Sequence, residues 1–397
     1  MMLKPNGKHA QDAIERRFTT SVVVDLDAIA HNVRTLNAHI GPDSAIIAVV
    51  KDDAYGHGAV PVARTVLAAG ATRLAVGRTD EGIQLRRAGI TAPILNLCYT
   101  VPGEAEDIVA ADLTASVGSI ESARALSAAA GRLGKTVTVH LKIDTGMGRY
   151  GLLPPEVVPF LKEAAALPHL DWEGVFTHFA TADGTDKSYT QCQYESLLMT
   201  LDEAAEAGFR FRVRHASNSA AVLDLPEMAL DAVRPGIALF GLYPSAEVTR
   251  EVALRPAMTL KSNVARLKVL PEVSGIGYGL TYRTPTDSAI ALVPVGYGDG
   301  YQRILSNRGA VLIGGQRAPI VGRVCMDQFM VDATGIEGIA EGSEVVLIGE
   351  QDGSAIPPEE IAAWANTINY EVVTGVSRRI PRIYTSGGEV AAITRLA

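Results

Sequence analysis

Short β-branched runs recur along the chain at Ile46–Lys51, Leu74–Val76, Ile94–Leu97, Leu113–Val117, Val137–Ile143, Val175–His178, Val213–His215 and Ala232–Arg234. Stretches of helical character lie between them, among them Ala59–Ala69, Asp80–Ala88, Glu104–Ala110, Ser119–Gly131, Pro155–Ala166 and Gln191–Ala207. Strand then helix, repeated around the set, predicts a (β/α)8 barrel over residues 25–245. A doubly wound open sheet would usually stop at fewer strands and would want a glycine-rich first turn. Lys51–Gly58, which follows the first strand, lacks that fingerprint.

Ahead of the barrel, residues to about Arg17 read as a loose start, and Ser21–Val24 as a short strand. Asp25 can cap a helix whose apolar positions Leu26, Ile29, Val33 and Leu36 fall at alternating three and four spacing. The texture changes near Pro244. Lys261–Leu270, Ala289–Val295, Gly309–Ile313, Ile320–Val324 and Glu344–Ile348 are strand-like runs between glycine-rich turns, and one helix, Glu359–Thr367, interrupts them. This predicts a β-rich domain over residues 246–397, joined by the N-terminal strand around residues 18–24.

Composition narrows the function. The chain has 397 residues, 47% of them hydrophobic, and a formal net charge of -8. The size suits two domains of a soluble protein, and the acidic balance argues against a nucleic-acid partner. Three cysteines, Cys98, Cys192 and Cys325, have no metal spacing and suggest a reducing compartment. Met1–Gln11 is polar with no apolar segment of a signal peptide, and no apolar run approaches the ~18 residues that span a bilayer. A cytoplasmic location without membrane contact is the expectation.

In a barrel, chemistry sits at the C-terminal ends of the strands. Lys51 ends the first run, and an amine partly desolvated there can form a Schiff base with a carbonyl cofactor. The fifth runs through His140, Lys142 and Asp144 to Arg149; the sixth ends in Thr177-His178. The seventh delivers His215, then Asn218-Ser219 at a helix start, and the eighth ends in Arg234, before Gly236-Ile237. Alone, His178 would more often be a satisfied core histidine, and Arg234 an ion-pair partner. Their shared rim weakens those separate explanations. Ser219 and Gly236-Ile237 suit a phosphate, with free N–H groups and close backbone approach. A lysine, a phosphate cradle and a charged partner for a ring nitrogen are what pyridoxal phosphate needs. No histidine pair has metal-ligand spacing.

From about Val23 to Tyr384 the chain resembles alanine racemase, a fold-type III pyridoxal phosphate enzyme. The resemblance is carried by VVKDDAYGHG, HLKIDTGMGRYG, THFATAD, NSAA, RPGIALFG, GYGLTY, VGYGDG, GRVCMDQ and TINYEV, in that order. It implies racemisation of L- and D-alanine, supplying D-alanine for peptidoglycan, by a homodimer whose active sites are shared across the interface. Lys51 would hold the cofactor and act as base on one face of the substrate. Tyr278 would be the base on the other face, reaching in from the second subunit. Arg149 would hold the cofactor's phenolic oxygen and the substrate carboxylate, steadied by a carbamylated Lys142. Arg234 would contact the pyridine nitrogen with His215 behind it, and His178 would lie near the ring and orient Tyr278. Tyr55, Ser219, Gly236, Ile237 and Tyr370 would hold the phosphate, and Leu97 would belong to the cofactor site. Met326 and Asp327 would meet the substrate across the interface, while Tyr297 and Tyr370 narrow the entrance.

These roles are chemically coherent. Racemisation removes the Cα proton from one face and returns one to the other, so two bases suffice. Lysine and tyrosine ordinarily keep their protons at neutral pH, with reference values of roughly 10, so their surroundings must favour the deprotonated forms. A guanidinium beside the pyridine nitrogen disfavours its protonation and restrains side reactions such as transamination. A fold-type III decarboxylase would place an acidic residue there, and Arg234 argues against it. A racemase for serine or lysine remains an alternative. A pyridoxal phosphate homeostasis protein would be a bare barrel, without the ~140 further residues that carry Tyr278 and Met326-Asp327. One residue departs from the resemblance: Asp52 stands where the family usually has a small residue, commonly alanine. Alternation along a strand would point it away from Lys51.

Overall fold

The computed structural model describes residues 17–395; Met1–Gln11 and nearly all of the loose start lie outside them. The chain divides into two compact units. Among the described residues, one takes 28–54 and 59–256, and the other takes 17–27, Tyr55–Gly58 and 257–395. Strand β1 (Thr20–Asp25) belongs to the second unit.

The first unit is a closed parallel barrel. Its strands are β2 (Ala45–Val49), β3 (Arg73–Val76), β4 (Ile94–Asn96), β5 (Thr114–Val117), β6 (Val137–Lys142), β7 (Leu170–Phe176), β8 (Val213–His215) and β9 (Ala232–Val233). The ring closes where β9 pairs with β2, Ala45 opposite Ala232 and Ile46 opposite Val233. Closure leaves no unpaired edge. The connecting helices follow from local signals. Ser119 Oγ accepts the Ser122 N–H at 3.3 Å to start Ile120–Leu133, and Gly134, at φ 63°, stops it. All eight runs form barrel strands, but several end early. The ladder stops at Val49, Phe176 and Val233, so Lys51, His178 and Arg234 sit on the turns beyond it.

The second unit is built on a mixed sheet. Along it lie Arg266–Leu270, Ser288–Val293, Phe329–Asp332, Gln316–Val321, Ala310–Ile313, Glu344–Gln351, Met258–Asn263, β1, Arg382–Ser386 and Glu389–Thr394. Strand β1 runs antiparallel to Met258–Asn263 and parallel to Arg382–Ser386. Two expectations are corrected here. The single run Lys261–Leu270 is two strands, broken at Val264-Ala265, and the halves bond to different neighbours. The single helix Glu359–Thr367 is Pro358–Ala365 followed by Asn369–Thr374, because Asn366 adopts the left-handed region (φ 54°) and ends the first helix. The C-terminal hairpin turns on Gly387-Gly388, both at positive φ, as a two-residue turn between twisted strands requires.

Arg382 in this unit is buried and pins a tight segment. Its Nε and Nη2 donate to the Gly56 carbonyl at 3.2 and 3.1 Å, Nη2 also to Val376 O at 2.7 Å, and Nη1 to Ile380 O at 2.7 Å. Gly56 has no alternative: its φ is +80°, and a Cβ there would meet Val373 O at 2.2 Å. Arg382→Met should therefore destabilise the protein by at least about 3 kcal/mol, since one hydrogen bond to a charged group is worth about 1.5–3. Urea unfolding followed by fluorescence measures this, and an unchanged midpoint would contradict it.

Candidate active site

Lys51 follows β2 and opens a turn of unusual hand. Asp52, Asp53, Ala54 and Tyr55 all have φ between 51° and 54°. Left-handed backbone costs about 1–2 kcal/mol per residue outside glycine, with Asp and Asn the best tolerated. This accounts for Asp52. It is exposed, it lies on a left-handed turn rather than on a strand, and an aspartate there costs less than an alanine. The strand argument for its direction does not apply.

Several bonds hold the turn. The Ala54 N–H donates to Val50 O at 3.0 Å, and the Ala59 N–H to Asp53 Oδ1 at 2.8 Å. Glu81 Oε1 accepts the Asp52 N–H at 2.6 Å, while its Oε2 accepts the Gly77 and Arg78 N–H groups at 2.7 and 3.1 Å. Lys51 lies against Gly77: a Cβ added there would stand 3.5 Å from Lys51 Cβ and Cδ. Glu81 thus ties the lysine-bearing turn to the next βα loop.

Positive side chains converge on the same rim. Arg234 is 3% exposed and Lys142 7%. Arg234 Nη2 donates to the carbonyls of Thr177 and Ala216 at 2.8 Å each and lies 3.3 Å from His178 Nδ1, while Nη1 lies 2.7 Å from His215 Nδ1. Burial, then Arg149, lowers the Arg234 pKa to about 9, which leaves it a cation at neutral pH. Lys142 Nζ stands 4.4 Å over the Phe176 ring, and no carboxylate among the described residues pairs with it. Burial, then Arg234 and Arg149, pull its amine well below the ordinary lysine value. His178 is lowered well below its ordinary value by burial and then by Arg234, Lys142, Arg149 and Lys51. Two guanidinium groups and two lysine side chains therefore act on one imidazole.

Asp144 lies just beyond β6, and its own loop occupies it. Its Oδ1 accepts the N–H groups of Gly146, Met147 and Gly148 at 2.8–3.1 Å, and Oδ2 accepts that of Arg149 at 2.9 Å. Burial pushes its carboxyl up, but these bonds outweigh burial and hold it below the usual range. The loop so folded presents Arg149 at the surface.

Ser219 and Gly236 come together as their spacing suggests. Asn218 caps the helix Ser219–Asp224, and Ser219 Oγ accepts the Gly236 N–H at 2.8 Å. Ile237 begins the short helix that follows, and Leu97 directly follows β4. In the β-rich unit, Tyr55 and Tyr370 face each other with ring centroids 6.2 Å apart. Tyr278 is 73% exposed and Met326 55%, and Tyr297 is also exposed. The Tyr297 and Met326 loops are zipped together, with Tyr297 N–H donating to Cys325 O at 3.0 Å and Gly298 N–H to Met326 O at 2.8 Å.

The donor set suits an anionic, aromatic cofactor. A phosphate and a phenolate would neutralise the clustered cations. No acceptor among the described residues is bonded to Arg234 Nε, which leaves an N–H for a ring nitrogen. Known proteins agree. Residues 24–244 match the model of the alanine racemase N-terminal domain, and residues 257–384 that of the C-terminal domain. The chain belongs to the alanine racemase family.

Members of this racemase family are isomerases. The alanine racemase of Desulforamulus reducens is 48% identical over 363 residues, covering 91% of this chain and 97% of the relative. The alanine racemase structure from Bacillus anthracis with bound L-Ala-P is 43% identical with a TM-score of 0.91, covering 95% of this chain and 97% of that one. A histidine racemase from Leuconostoc mesenteroides is more distant, at 30% identity and a TM-score of 0.85, covering 93% of this chain and 98% of that one.

Some bonds within each unit leave no pattern in the sequence. Arg379 bridges Asp299 Oδ1 at 2.7 Å and Asp327 Oδ1 at 2.8 Å, which ties Asp327 to the Tyr297 turn. A signal did exist for His140, which alternates with Lys142 and so shares its face of β6.

The buried bases make stability depend on pH. Burial is the leading cause that lowers the pKa of His140, His178 and His215. Below about pH 6.5 an unfolded chain takes up protons that these folded imidazoles refuse, so stability falls as pH falls. Each contributes up to about 1.4 kcal/mol per pH unit. The urea midpoint of cofactor-free protein should drop between about pH 7 and about pH 5.5, and drop less in His178→Asn. Equal wild-type midpoints would contradict this.

Proposed function

We propose that this protein racemises alanine with bound pyridoxal 5'-phosphate, by two bases on opposite faces of the substrate. The observation that carries it is the group of basic side chains around His178, with Arg234 Nη2 3.3 Å from its Nδ1 and Lys51 among them. The family membership supports the same reading. When bound, the cofactor supplies an electron sink that stabilises negative charge at the substrate Cα. The protein supplies position and protons.

Lys51 holds the cofactor and moves the Cα proton on one face. Tyr278, contributed by the second subunit of a homodimer, moves it on the other; its exposure in the single chain supports that role. Arg149 binds the substrate carboxylate and the cofactor's phenolic oxygen. Lys142, whose buried setting favours the unprotonated amine, takes up carbon dioxide as a carbamate, with release of a proton, and gives Arg149 an anionic partner. Arg234 donates to the ring nitrogen and, as a cation, opposes its protonation. His178 lies beside the ring. Ser219, Gly236, Ile237, Tyr55 and Tyr370 take the phosphate, and Leu97 lines the cofactor. Met326 and Asp327 meet the substrate from the second subunit, and Tyr297 with Tyr370 limits its size. The product, D-alanine, serves peptidoglycan synthesis in the cytoplasm.

The similarity to a histidine racemase shows why substrate choice needs measurement. In a chirality-resolved assay with added cofactor, L-alanine should be inverted faster than L-serine, L-lysine or L-histidine. Inversion of none of them by the loaded protein would overturn the proposal. Tyr278→Phe should keep the cofactor and lose about 10²–10⁴-fold in kcat, the usual worth of an acid–base group. Mixing Lys51→Ala with Tyr278→Phe should restore activity if the tyrosine works across subunits. No restoration would assign it to its own chain.

A further inference from the structure

A chain of bonds crosses the barrel interior beneath Arg234. Arg73 on β3 grips Glu173 on β7 with two bonds of 2.8 Å. Glu173 Oε2 lies 3.0 Å from His140 Nε2, His140 Nδ1 lies 2.8 Å from His215 Nε2, and His215 Nδ1 lies 2.7 Å from Arg234 Nη1. Both imidazoles are almost wholly buried.

The fold is shaped around this chain. The β6–β7 register slips between Val139, opposite Trp172, and His140, opposite Gly174, so Glu173 is an extra, bulged residue. A bulge re-aims a side chain, and here it lets Glu173 reach both Arg73 and His140. The His140 ring fills the space beside Gly174, where a Cβ would lie 2.6 Å from it. Phe176 stacks on His215 at 4.8 Å, with the planes 7° apart.

The two ends fix the direction of every proton. A guanidinium only donates, and a carboxylate only accepts. Arg234 donates to His215 Nδ1, so the His215 proton sits on Nε2. That proton goes to His140 Nδ1, so the His140 proton sits on its own Nε2 and goes to Glu173. An imidazolium at either position would set one N–H against another. The lowered pKa values of both histidines agree. The Glu173 carboxyl is held down at about 2, by its His140 bond against burial and by Arg73, so it stays an acceptor.

We propose that Glu173 is a positioning residue for Arg234: through two neutral histidines, both protonated on Nε2, it fixes the guanidinium as a donor and leaves its remaining N–H groups aimed into the site. Arg73 keeps Glu173 ionised, so no proton can pass down the chain and leave Arg234 neutral. The link to catalysis rests on the role given to Arg234 above; the tautomers do not.

The test is ¹⁵N–¹H correlation spectroscopy of histidine-labelled protein, with and without cofactor. The wild type should show pyridine-like Nδ1 and pyrrole-like Nε2 for His140 and His215 near neutral pH. An imidazolium or the opposite tautomer at either ring would overturn the proposal. In Glu173→Gln, Arg73 takes the amide oxygen and leaves the NH2 facing His140, which reverses both tautomers and sets His215 Nδ1–H against Arg234. Racemisation should then fall about 10- to 100-fold, the usual size of an outer-partner loss, and amino transfer to the cofactor should rise relative to it. A wild-type spectrum in Glu173→Gln would sink the proposal. Gly174→Ala keeps every member of the chain but displaces the His140 ring, and should erase the wild-type histidine signature; retention would count against the relay. Reversed tautomers with an unchanged product ratio would support the relay and contradict instead the role assigned to Arg234.

Discussion

A guanidinium buried in a protein interior must find acceptors for its N–H groups, and here it finds them at the end of a barrel. Arg234 spends its bonds on the Thr177 and Ala216 carbonyls and on two imidazoles, all from neighbouring strand ends. Its charge then governs its surroundings. Burial is the leading cause that lowers both His178 and His215, and Arg234 is the next cause at each. Asp144 is spent on the backbone of its own loop, and Glu173 on Arg73 and His140. The rim is left with a positive excess that an anionic cofactor would neutralise.

The lysine turn is a second constraint. Four consecutive left-handed residues are costly, and strain of this kind persists only where the surroundings over-determine it. Glu81 and the side chain of Asp53 provide such support in the barrel unit. In the β-rich unit, Arg382 fixes the Gly56 carbonyl that follows the turn. The outcome is that Lys51 leaves the strand at a set angle rather than continuing it. Asp52, out of place on a strand, suits this turn.

The barrel was legible because its strands are short apolar runs and its helices carry ordinary periodicity. Lys51, Lys142, His178, His215 and Arg234 were legible because they interrupt that apolar pattern at one end of each run. The left-handed turn was not. Ala54 and Tyr55 give no local hint of positive φ, and tertiary bonds impose it. The split of Lys261–Leu270 was hidden because Val264-Ala265 is as apolar as the strands it separates. Glu173 was hidden by the bulge, which breaks the alternation that would have placed it beside His140. Acid–base pairs far apart in sequence, such as Arg379 with Asp299 and Asp327, leave no spacing to find.

In the proposed function, Lys51, on its strained turn beside these basic groups, binds the cofactor. Borohydride reduction of the protein loaded with pyridoxal phosphate, followed by peptide mapping, tests it directly. One cofactor per chain is expected, on the peptide containing Lys51, and none in Lys51→Ala. Attachment at another lysine, such as the buried Lys142, or no attachment at all, would contradict it.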